Sequence, residues 1–205
     1  MTPFRKIDAV AVPMSQPNVD TDQIIPARFL WRPRDAGYGP LLFNDIRANE
    51  DGTPKPDFVL NRPEYAEAKI LVGDRNFGCG SSREHAVWAL ADAGFRAVIA
   101  PSFGDIFFNN SFKNGFLPVV LPEERCAALR AALQPAPGAN TAPSITIDLE
   151  AQTVTGPDGG VDRFKITGLR KQMLLAGEDD ISFTLRHADD IAAFEKRYAA
   201  ETPWI

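Results

Sequence analysis

The fold of this 205-residue chain is decided where a short apolar run meets a glycine-rich turn: Ile70-Leu71-Val72-Gly73-Asp74-Arg75-Asn76-Phe77-Gly78-Cys79-Gly80-Ser81-Ser82-Arg83-Glu84-His85. The apolar run is typical of a buried strand, and residues 84–93 have the periodicity of a helix. A second apolar run follows at residues 97–100. Strand, helix and strand in this order predict a βαβ unit, in which a helix joins two parallel strands and covers the sheet.

The same alternation continues on both sides of this unit. A helical pattern at residues 103–113, a turn at Asn114-Gly115 and an apolar run at residues 117–121 predict a second βαβ unit. Residues 122–133 begin with proline followed by two glutamates, as helices commonly do. Residues 4–12 predict one more strand. We therefore expect an α/β fold with a parallel-sheet core.

The remaining segments are less regular. Residues 28–63 are rich in Pro, Gly, Asp and Asn, and we interpret them as an irregular substrate or interface loop. Residues 134–143 read as a linker to the C-terminal elements. These elements are short strands at 144–149, 153–154 and 164–166, and helices near 169–175 and 189–199. No internal repeat is present, so residues 1–205 are predicted to form a single domain.

Composition excludes several classes of function. Apolar residues make up 44% and charged residues 24% of the chain, as in ordinary globular proteins. A net charge of −5 argues against a nucleic-acid surface, which needs clustered Lys and Arg. No segment resembles a signal peptide or approaches the ~20 apolar residues of a membrane helix. We expect a cytoplasmic protein that meets a small molecule or a protein partner, without nucleic acid or membrane.

Cysteine usage argues against a metal centre built by this chain. The two cysteines, Cys79 and Cys126, lie far apart in the sequence. They form neither a disulfide framework nor a metal-binding motif. We therefore expect no metal ligands in this chain.

The glycine-rich turn does not match the common nucleotide or hydrolase motifs. A dinucleotide fingerprint that begins at Gly78 and Gly80 would need a third glycine where Arg83 stands. The Gly-Lys-Ser/Thr of a phosphate-binding loop and the Gly-x-Ser-x-Gly of a nucleophile elbow are also absent from the sequence.

Two interpretations of this turn remain open. Ser81 and Glu84 have the spacing of a capping box, and spacing alone favours this structural role. A helix N-terminus is also a ready anion site, and the planar fork of Arg83 suits a carboxylate. The two roles are compatible, and together they predict a carboxylate receptor.

Several ordered blocks carry a resemblance to a known family. They are Gly80-Ser81-Ser82-Arg83-Glu84-His85, the upstream Asn18-Val19-Asp20-Thr21-Asp22-Gln23-Ile24-Ile25-Pro26 and the downstream Ala100-Pro101-Ser102-Phe103. With them the chain resembles the aconitase superfamily, and within it the family of separate small subunits of bacterial 3-isopropylmalate dehydratase. The resemblance covers nearly the whole chain, including Leu42-Phe43-Asn44-Asp45 and Pro56-Asp57-Phe58-Val59-Leu60-Asn61.

The resemblance implies a fold and a reaction. The fold is a swivelling β/β/α domain that docks onto a larger subunit holding a [4Fe–4S] cluster. The reaction, in leucine biosynthesis, is a dehydration and rehydration that converts 2-isopropylmalate to 3-isopropylmalate through 2-isopropylmaleate. The large subunit would supply the cluster, because such clusters are held mainly by Cys thiolates and this chain has only two.

The resemblance also assigns roles to residues. It implies that Ser81 is the catalytic base, that Ser82 contacts the substrate and that Arg83 binds a substrate carboxylate. Thr21 and Asp22 match the first active-site loop of the family, where they would orient the substrate or the hydroxide. An Asx-type turn is an equally good interpretation of this Thr-Asp pair.

Other residues near these motifs have simpler interpretations. We expect His85 to pack beneath the turn and Cys79 to act as a small apolar group. The branched alkyl group of isopropylmalate calls for an apolar wall, for which Phe29, Leu30 and Trp31 are candidates. Core or subunit-interface packing is the alternative for these three residues.

Three other functions compete with this prediction. A sister hydro-lyase small subunit, acting on homocitrate-like or methyl-substituted malates, would share all these motifs, and only residues 28–45 would discriminate it. A non-catalytic binding module could keep the same fold. A standalone serine hydrolase is disfavoured by the missing elbow and by the presence of only two histidines, His85 and His187.

Overall fold

The computed structural model describes residues 1–202 and Trp204. Seven strands form one mixed sheet in the order β4-β3-β2-β1-β5-β6-β7. The strands are β1 (Lys6–Pro13), β2 (Ile70–Val72), β3 (Ala97–Ala100), β4 (Leu117–Val120), β5 (Ser144–Asp148), β6 (Thr153–Thr155) and β7 (Val161–Arg163). The helices are α1 (Thr21–Ile24), α2 (Asn44–Arg47), α3 (His85–Asp92), α4 (Asp105–Lys113), α5 (Glu123–Ala132), α6 (Gly168–Ala176), α7 (Asp180–Leu185) and α8 (Ala188–Glu201).

Strands β1 to β4 form the parallel half of the sheet. Their register aligns Ala11, Ile70, Ala97 and Leu117 in one row across the four strands. All residues of β2 and β3 are buried, as expected when helices cover both faces of a parallel sheet. Strands β5 to β7 add an antiparallel half next to β1. The predicted α/β class and its parallel βαβ core are confirmed.

The two faces of the sheet support two separate cores. Ile70 and Val72 point into one core, which also contains Leu129 of α5, whereas Leu71 points into the other. This division follows from the alternation of side chains along a strand. The core that receives Leu71 also contains Leu90 of α3, so α3 and α5 cover opposite faces.

The segment 28–63 has little regular structure, and part of it belongs to the core. It contains α2 and several single 3₁₀ turns, and Tyr38 and Phe43 are completely buried. Gly39 lies against α3 so closely that a Cβ atom there would be 2.6 Å from the carbonyl oxygen of Asp92. This segment therefore packs along α3, while Trp31 keeps 81% of its surface exposed.

The last strand lies three residues before its predicted position. The turn at residues 156–160 pairs Thr155 with Val161, so the pairing of β6 with β7 ends where Thr153 faces Arg163. Residues 164–166 would face the turn between β5 and β6, where no strand is available to pair with them. Their apolar pattern reflects packing instead, because Phe164 is 4% exposed in the core that contains Ile70.

Three helices were not predicted from the sequence, namely α1, α7 and the one-turn helix α2 within the segment 28–63. The one-turn helix α1 lies in the predicted polar loop, where Oδ1 of Asp20 accepts a hydrogen bond from the backbone N–H of Gln23 at 2.7 Å. Helix α7 is capped in the same way by Asp179, which accepts from the N–H of Ser182 at 2.7 Å. All three helices are too short for a periodic apolar pattern. No helix within the described residues is long and apolar enough to cross a membrane.

Candidate active site

The candidate site lies where the loops after β1 and β2 meet. The carboxyl ends of neighbouring parallel strands share one edge of the sheet, where ligands bind in open α/β folds. Beyond the strands, the N–H of Gly78 donates to the carbonyl of Val19 at 2.7 Å. The N–H of Thr21 donates to the carbonyl of Cys79 at 2.8 Å. These bonds extend the β1–β2 pairing into the loops and bring the two predicted motifs together.

The Thr21 side chain binds the backbone of Ser81. Its hydroxyl donates to the carbonyl of Ser81 at 3.0 Å and accepts from the N–H of Ser81 at 3.1 Å. Thr21 is 1% exposed, so its hydroxyl is enclosed in this state. The observed contact fixes the position of Ser81, and the predicted contact between Thr21 and substrate remains a prediction.

The turn before Ser81 requires glycine. Gly80 has a φ of +94°, a conformation that residues with a side chain rarely adopt. A Cβ atom at this position would also lie 3.4 Å from Cβ of Asp20 and 3.5 Å from Oγ1 of Thr21. Both the backbone angle and the close packing against the first loop therefore favour glycine here.

Asp22 and Arg83 form an ion pair that joins the same two loops. Nη1 of Arg83 donates to Oδ1 of Asp22, which also accepts from the N–H of Ala27 at 3.2 Å. The hydrogen bond from Arg83 holds the pKa of the Asp22 carboxyl below its ordinary value. Asp22 is therefore an ionised acceptor at neutral pH. The Arg83 side chain is 14% exposed and that of Asp22 is 56% exposed.

The Arg83 guanidinium retains donors for a ligand. Its Nη1 is shared between Asp22 and, at 3.5 Å, the carbonyl of Ile25. Among residues 1–202 and Trp204, no acceptor is hydrogen-bonded to Nε or Nη2. A guanidinium held on one side in this way can offer its remaining N–H groups to a carboxylate.

Ser81 and Ser82 are exposed on this turn, and neither caps a helix. Helix α3 begins at His85, and the preceding Glu84 makes no side-chain capping bond. The capping-box interpretation is therefore wrong. The N–H of Arg83 donates to the carbonyl of Ser81 at 2.8 Å and closes a tight turn before the helix. The Glu84 carboxylate instead accepts a hydrogen bond from another residue, Nδ2 of Asn114, at 2.8 Å.

The start of α3 still offers hydrogen-bond donors next to Ser81. Helices begin with backbone N–H groups that have no intrahelical acceptor. Within the described part of the chain, the N–H groups of Ser82, Glu84 and His85 have no acceptor. These N–H groups and Arg83 together make the surroundings of the turn favourable for negative charge.

His85 and Cys79 lie beside the turn with the environments of packed residues. The His85 ring lies 5.3 Å from that of Tyr38 and 4.5 Å from that of Trp88, and burial lowers its pKa. The imidazole is therefore mainly neutral at pH 7. Burial raises the pKa of the half-buried Cys79 thiol, which is thus protonated. These environments agree with the packing roles expected for both residues.

The three apolar candidates of the 28–63 segment have different surroundings. Phe29 and Leu30 are half-buried and pack against the core. Trp31 and Phe29 both border an open cavity of about 440 Å³, which Arg28 and Arg32 also line. The core-packing alternative thus describes Leu30 best, whereas Phe29 and Trp31 both face the cavity and Trp31 is the more exposed of the two.

Some features of the site could not be read from single motifs. The pairing of Asp22 with Arg83 joins residues 61 positions apart. A second link joins Asn18 and Asn76, whose side chains are hydrogen-bonded at 2.9 Å. Both asparagines have positive φ angles, a conformation that Asn adopts more readily than most residues. Asparagine at these two positions was the one sequence signal for this link between the loops. No cluster of three or more His, Cys, Asp or Glu side chains suited to a metal occurs in the described part of the chain.

Three family models match successive parts of the chain. A model for the aconitase C-terminal domain matches residues 1–124. A model described as LeuD_N matches residues 137–168. A model for the C-terminal domain of the 3-isopropylmalate dehydratase small subunit matches residues 180–205.

Curated relatives and a solved structure agree with these models. Proteins named 3-isopropylmalate dehydratase small subunit from Dinoroseobacter shibae and Sinorhizobium fredii are 50% and 52% identical, with full coverage of both chains. One from Neisseria meningitidis is 50% identical over 100% of this chain and 99% of its own length. The crystal structure of 3-isopropylmalate dehydratase (leuD) from Methanocaldococcus jannaschii aligns with a TM-score of 0.63 at 25% identity, over 92% of this chain and 99% of that one. The chain belongs to the family of 3-isopropylmalate dehydratase small subunits.

Proposed function

We propose that this chain is the small subunit of a cytoplasmic hydro-lyase that isomerises 2-isopropylmalate to 3-isopropylmalate through 2-isopropylmaleate, in leucine biosynthesis. Its partner is a large subunit that carries a [4Fe–4S] cluster. The observation that carries the proposal is the meeting of exposed Ser81 with the Asp22–Arg83 pair at one edge of the sheet. The names of full-length relatives at about 50% identity support the choice of reaction.

The contribution of this chain to the reaction is proton transfer. Dehydration requires removal of a proton from the carbon next to a carboxylate, and Oγ of Ser81 is the exposed group that we assign to this step. A serine can serve as base only where its anion is stabilised. Arg83 and the N–H groups at the start of α3 provide this stabilisation, and Thr21 keeps the Ser81 backbone in place.

Arg83 and Asp22 divide the recognition of the substrate between them. In our assignment, Nε and Nη2 of Arg83 bind a substrate carboxylate while Nη1 stays on Asp22. Asp22 thereby orients the guanidinium and, as an ionised acceptor, can also orient the departing or returning hydroxyl group. Ser82 adds a hydroxyl and a backbone N–H on the same turn.

The partner completes the site. When bound, the cluster supplies a Lewis acid for the substrate hydroxyl. We assign the cluster to the large subunit because this chain has one half-buried cysteine at the turn and one buried cysteine in α5. A cluster of this type usually needs a larger set of thiolates. The small subunit thus brings the base and the carboxylate receptor.

Reconstitution tests the proposed reaction directly. The chain is combined anaerobically with a cluster-bearing large subunit of this family, and formation of the alkene is followed by its absorbance. We expect turnover of 2-isopropylmalate by the complex and none by the small subunit alone. Faster turnover of a homocitrate-like or methyl-substituted malate would favour the sister hydro-lyase instead. Absence of turnover with any substituted malate would favour a binding module.

Ser81→Ala should separate catalysis from stability. Removal of the proposed base should lower kcat by orders of magnitude in the complex, because substrate can still bind Arg83. The melting temperature should stay close to that of the wild type, since the Ser81 side chain caps no helix. Ser144→Ala, at an exposed strand position, is the control and should change neither quantity. A fully active Ser81→Ala complex would contradict the assignment of the base.

Arg83→Lys should impair both binding and turnover. Lysine keeps the positive charge but loses the fork that serves Asp22 and a carboxylate together. Loss of one such electrostatic contact typically costs about 3–4 kcal/mol in the transition state. We therefore expect a higher KM and a kcat/KM lowered by about 100-fold or more in steady-state assays. Arg5→Lys, in an exposed ion pair with Glu150, is the matched control. Equal kinetics for the two variants would exclude Arg83 from substrate binding.

Trp31→Ala should change the choice of substrate. If the exposed indole lines the site for the branched alkyl group, its loss should lower kcat/KM for 2-isopropylmalate by about tenfold, the equivalent of ~1.4 kcal/mol. Methyl-substituted malate, which reaches the indole less, should be affected less. Trp204→Ala removes a similarly exposed indole, 77% exposed, and should leave the ratio of the two kcat/KM values unchanged. An unchanged ratio for Trp31→Ala would show that this side chain does not select the substrate.

A further inference from the structure

The last two helices, α7 and α8, form an arm whose large apolar side chains are mostly exposed. Every residue of α8 is exposed. The large apolar residues of the arm include Ile181 at 72%, Leu185 at 64% and Phe194 at 52% exposure. Isolated helices as short as α8 are marginally stable in water, and most protein helices depend on packing of an apolar face. This arm therefore has the properties of an element that is stabilised by a partner.

The apolar residues of α8 form one continuous stripe. Ile191, Phe194 and Tyr198 follow one another at spacings of three and four residues, which places them on one face. The Phe194 and Tyr198 rings are stacked, with centroids 5.6 Å apart and an angle of 15° between their planes. A stripe of this kind is the surface that an amphipathic helix inserts into an apolar groove.

The charges beside the stripe are mostly negative. Helical spacing places Asp190 and Glu201 along one edge of the stripe and Glu195 along the other. One cation accompanies them, because the Arg197 guanidinium lies 5.6 Å from the Phe194 ring centroid. Three acids against one base make the rim acidic. A complementary groove would be apolar at its floor and lined by Lys and Arg at its edges.

The arm is attached to a well-anchored part of the fold. Helix α6, just before it, accepts a hydrogen bond at the Leu174 carbonyl from the N–H of Phe4 at 2.8 Å. Gly177 then ends α6 with a φ of +70°, and a Cβ there would lie 2.7 Å from the carbonyl oxygen of Met1. The chain thus leaves the body at a point that these contacts anchor.

The sequence comparisons place the arm outside the domain shared with aconitase. The aconitase C-terminal domain model ends at residue 124. The segment 180–205 is matched instead by a model named for the C-terminal domain of the 3-isopropylmalate dehydratase small subunit. The arm therefore accompanies the aconitase-type domain in a family of small subunits. This association indicates that the partner that covers the arm belongs to the same enzyme.

We propose that α7 and α8 dock the chain onto its large subunit, with Ile191, Phe194 and Tyr198 in an apolar groove rimmed by basic residues. The identity of this occupant rests on the proposed function. When two separate chains build one active site, their contact surfaces alone must hold it together, and buried aromatic anchors typically supply much of that affinity. A second copy of this chain is a poorer occupant, because the acidic rims would face each other.

The test is the affinity of full-length variants for the cluster-bearing large subunit, measured by anaerobic titration calorimetry. In Phe194→Ala/Tyr198→Ala, we expect the Kd to rise at least tenfold. The melting temperature of the isolated small subunit should change little, because these side chains are exposed in it. Asp189→Ala/Lys196→Ala changes the opposite face of α8 and should bind as the wild type does. A Kd within twofold of the wild type for the aromatic variant would overturn the proposal.

Turnover separates docking from catalysis. At a saturating concentration of the small subunit, the aromatic variant should regain the wild-type kcat, because Ser81 and Arg83 are intact. A kcat that stays low would contradict a role in docking alone. A wild-type complex that forms but fails to turn over 2-isopropylmalate would refute the proposed reaction and leave the docking result standing. Light scattering of the small subunit alone measures its oligomeric state and tests whether a second copy covers the arm. A wild-type dimer that becomes a monomer in the variant would make a second copy the occupant and overturn the proposal.

Discussion

The two hydrogen bonds between the Thr21 hydroxyl and the backbone of Ser81 are the contact on which the candidate site depends. They join two loops that are distant in sequence and that meet only because β1 and β2 are parallel neighbours. Thr21 is enclosed, and Gly80 provides the backbone conformation that lets the second loop approach it. With the Ser81 backbone bound at both its N–H and its carbonyl, the side chain of Ser81 can be exposed and still be precisely placed. Preorganisation of this kind lowers the reorganisation needed during catalysis.

The Asp22–Arg83 pair adds a second bridge between the same loops and changes what each partner can do. Asp22 is held ionised, so it can accept hydrogen bonds but does not serve as an acid near neutral pH. Arg83 is held on one side, so a carboxylate that bound there, as we propose for the substrate, would meet an oriented guanidinium that needs less ordering on binding.

The candidate site and the surface proposed for assembly belong to different elements of the fold. The site uses the loops after β1 and β2, whereas the α7–α8 arm follows α6, which is fastened to the N-terminal segment through Phe4 and Leu174. An arm that carries none of the candidate site residues can contribute affinity for a partner without disturbing the turn that holds Ser81. This separation also explains how one part of the chain can match a general aconitase domain while its last 26 residues match a model specific to small subunits.

The sequence by itself determined the α/β class, the order of the βαβ units and the turn that holds Ser81, Ser82 and Arg83, because apolar periodicity and glycine placement are local properties. It misplaced the last strand, since the position of β7 depends on the register of its hairpin with β6. It also suggested a capping box at Ser81, although α3 begins only at His85, after the tight turn that Arg83 closes onto Ser81. The Asp22–Arg83 pair and the anchoring of Ser81 by Thr21 were decided by the tertiary structure alone. Residues about 60 positions apart meet through strand pairing and register, which no local pattern in either segment specifies.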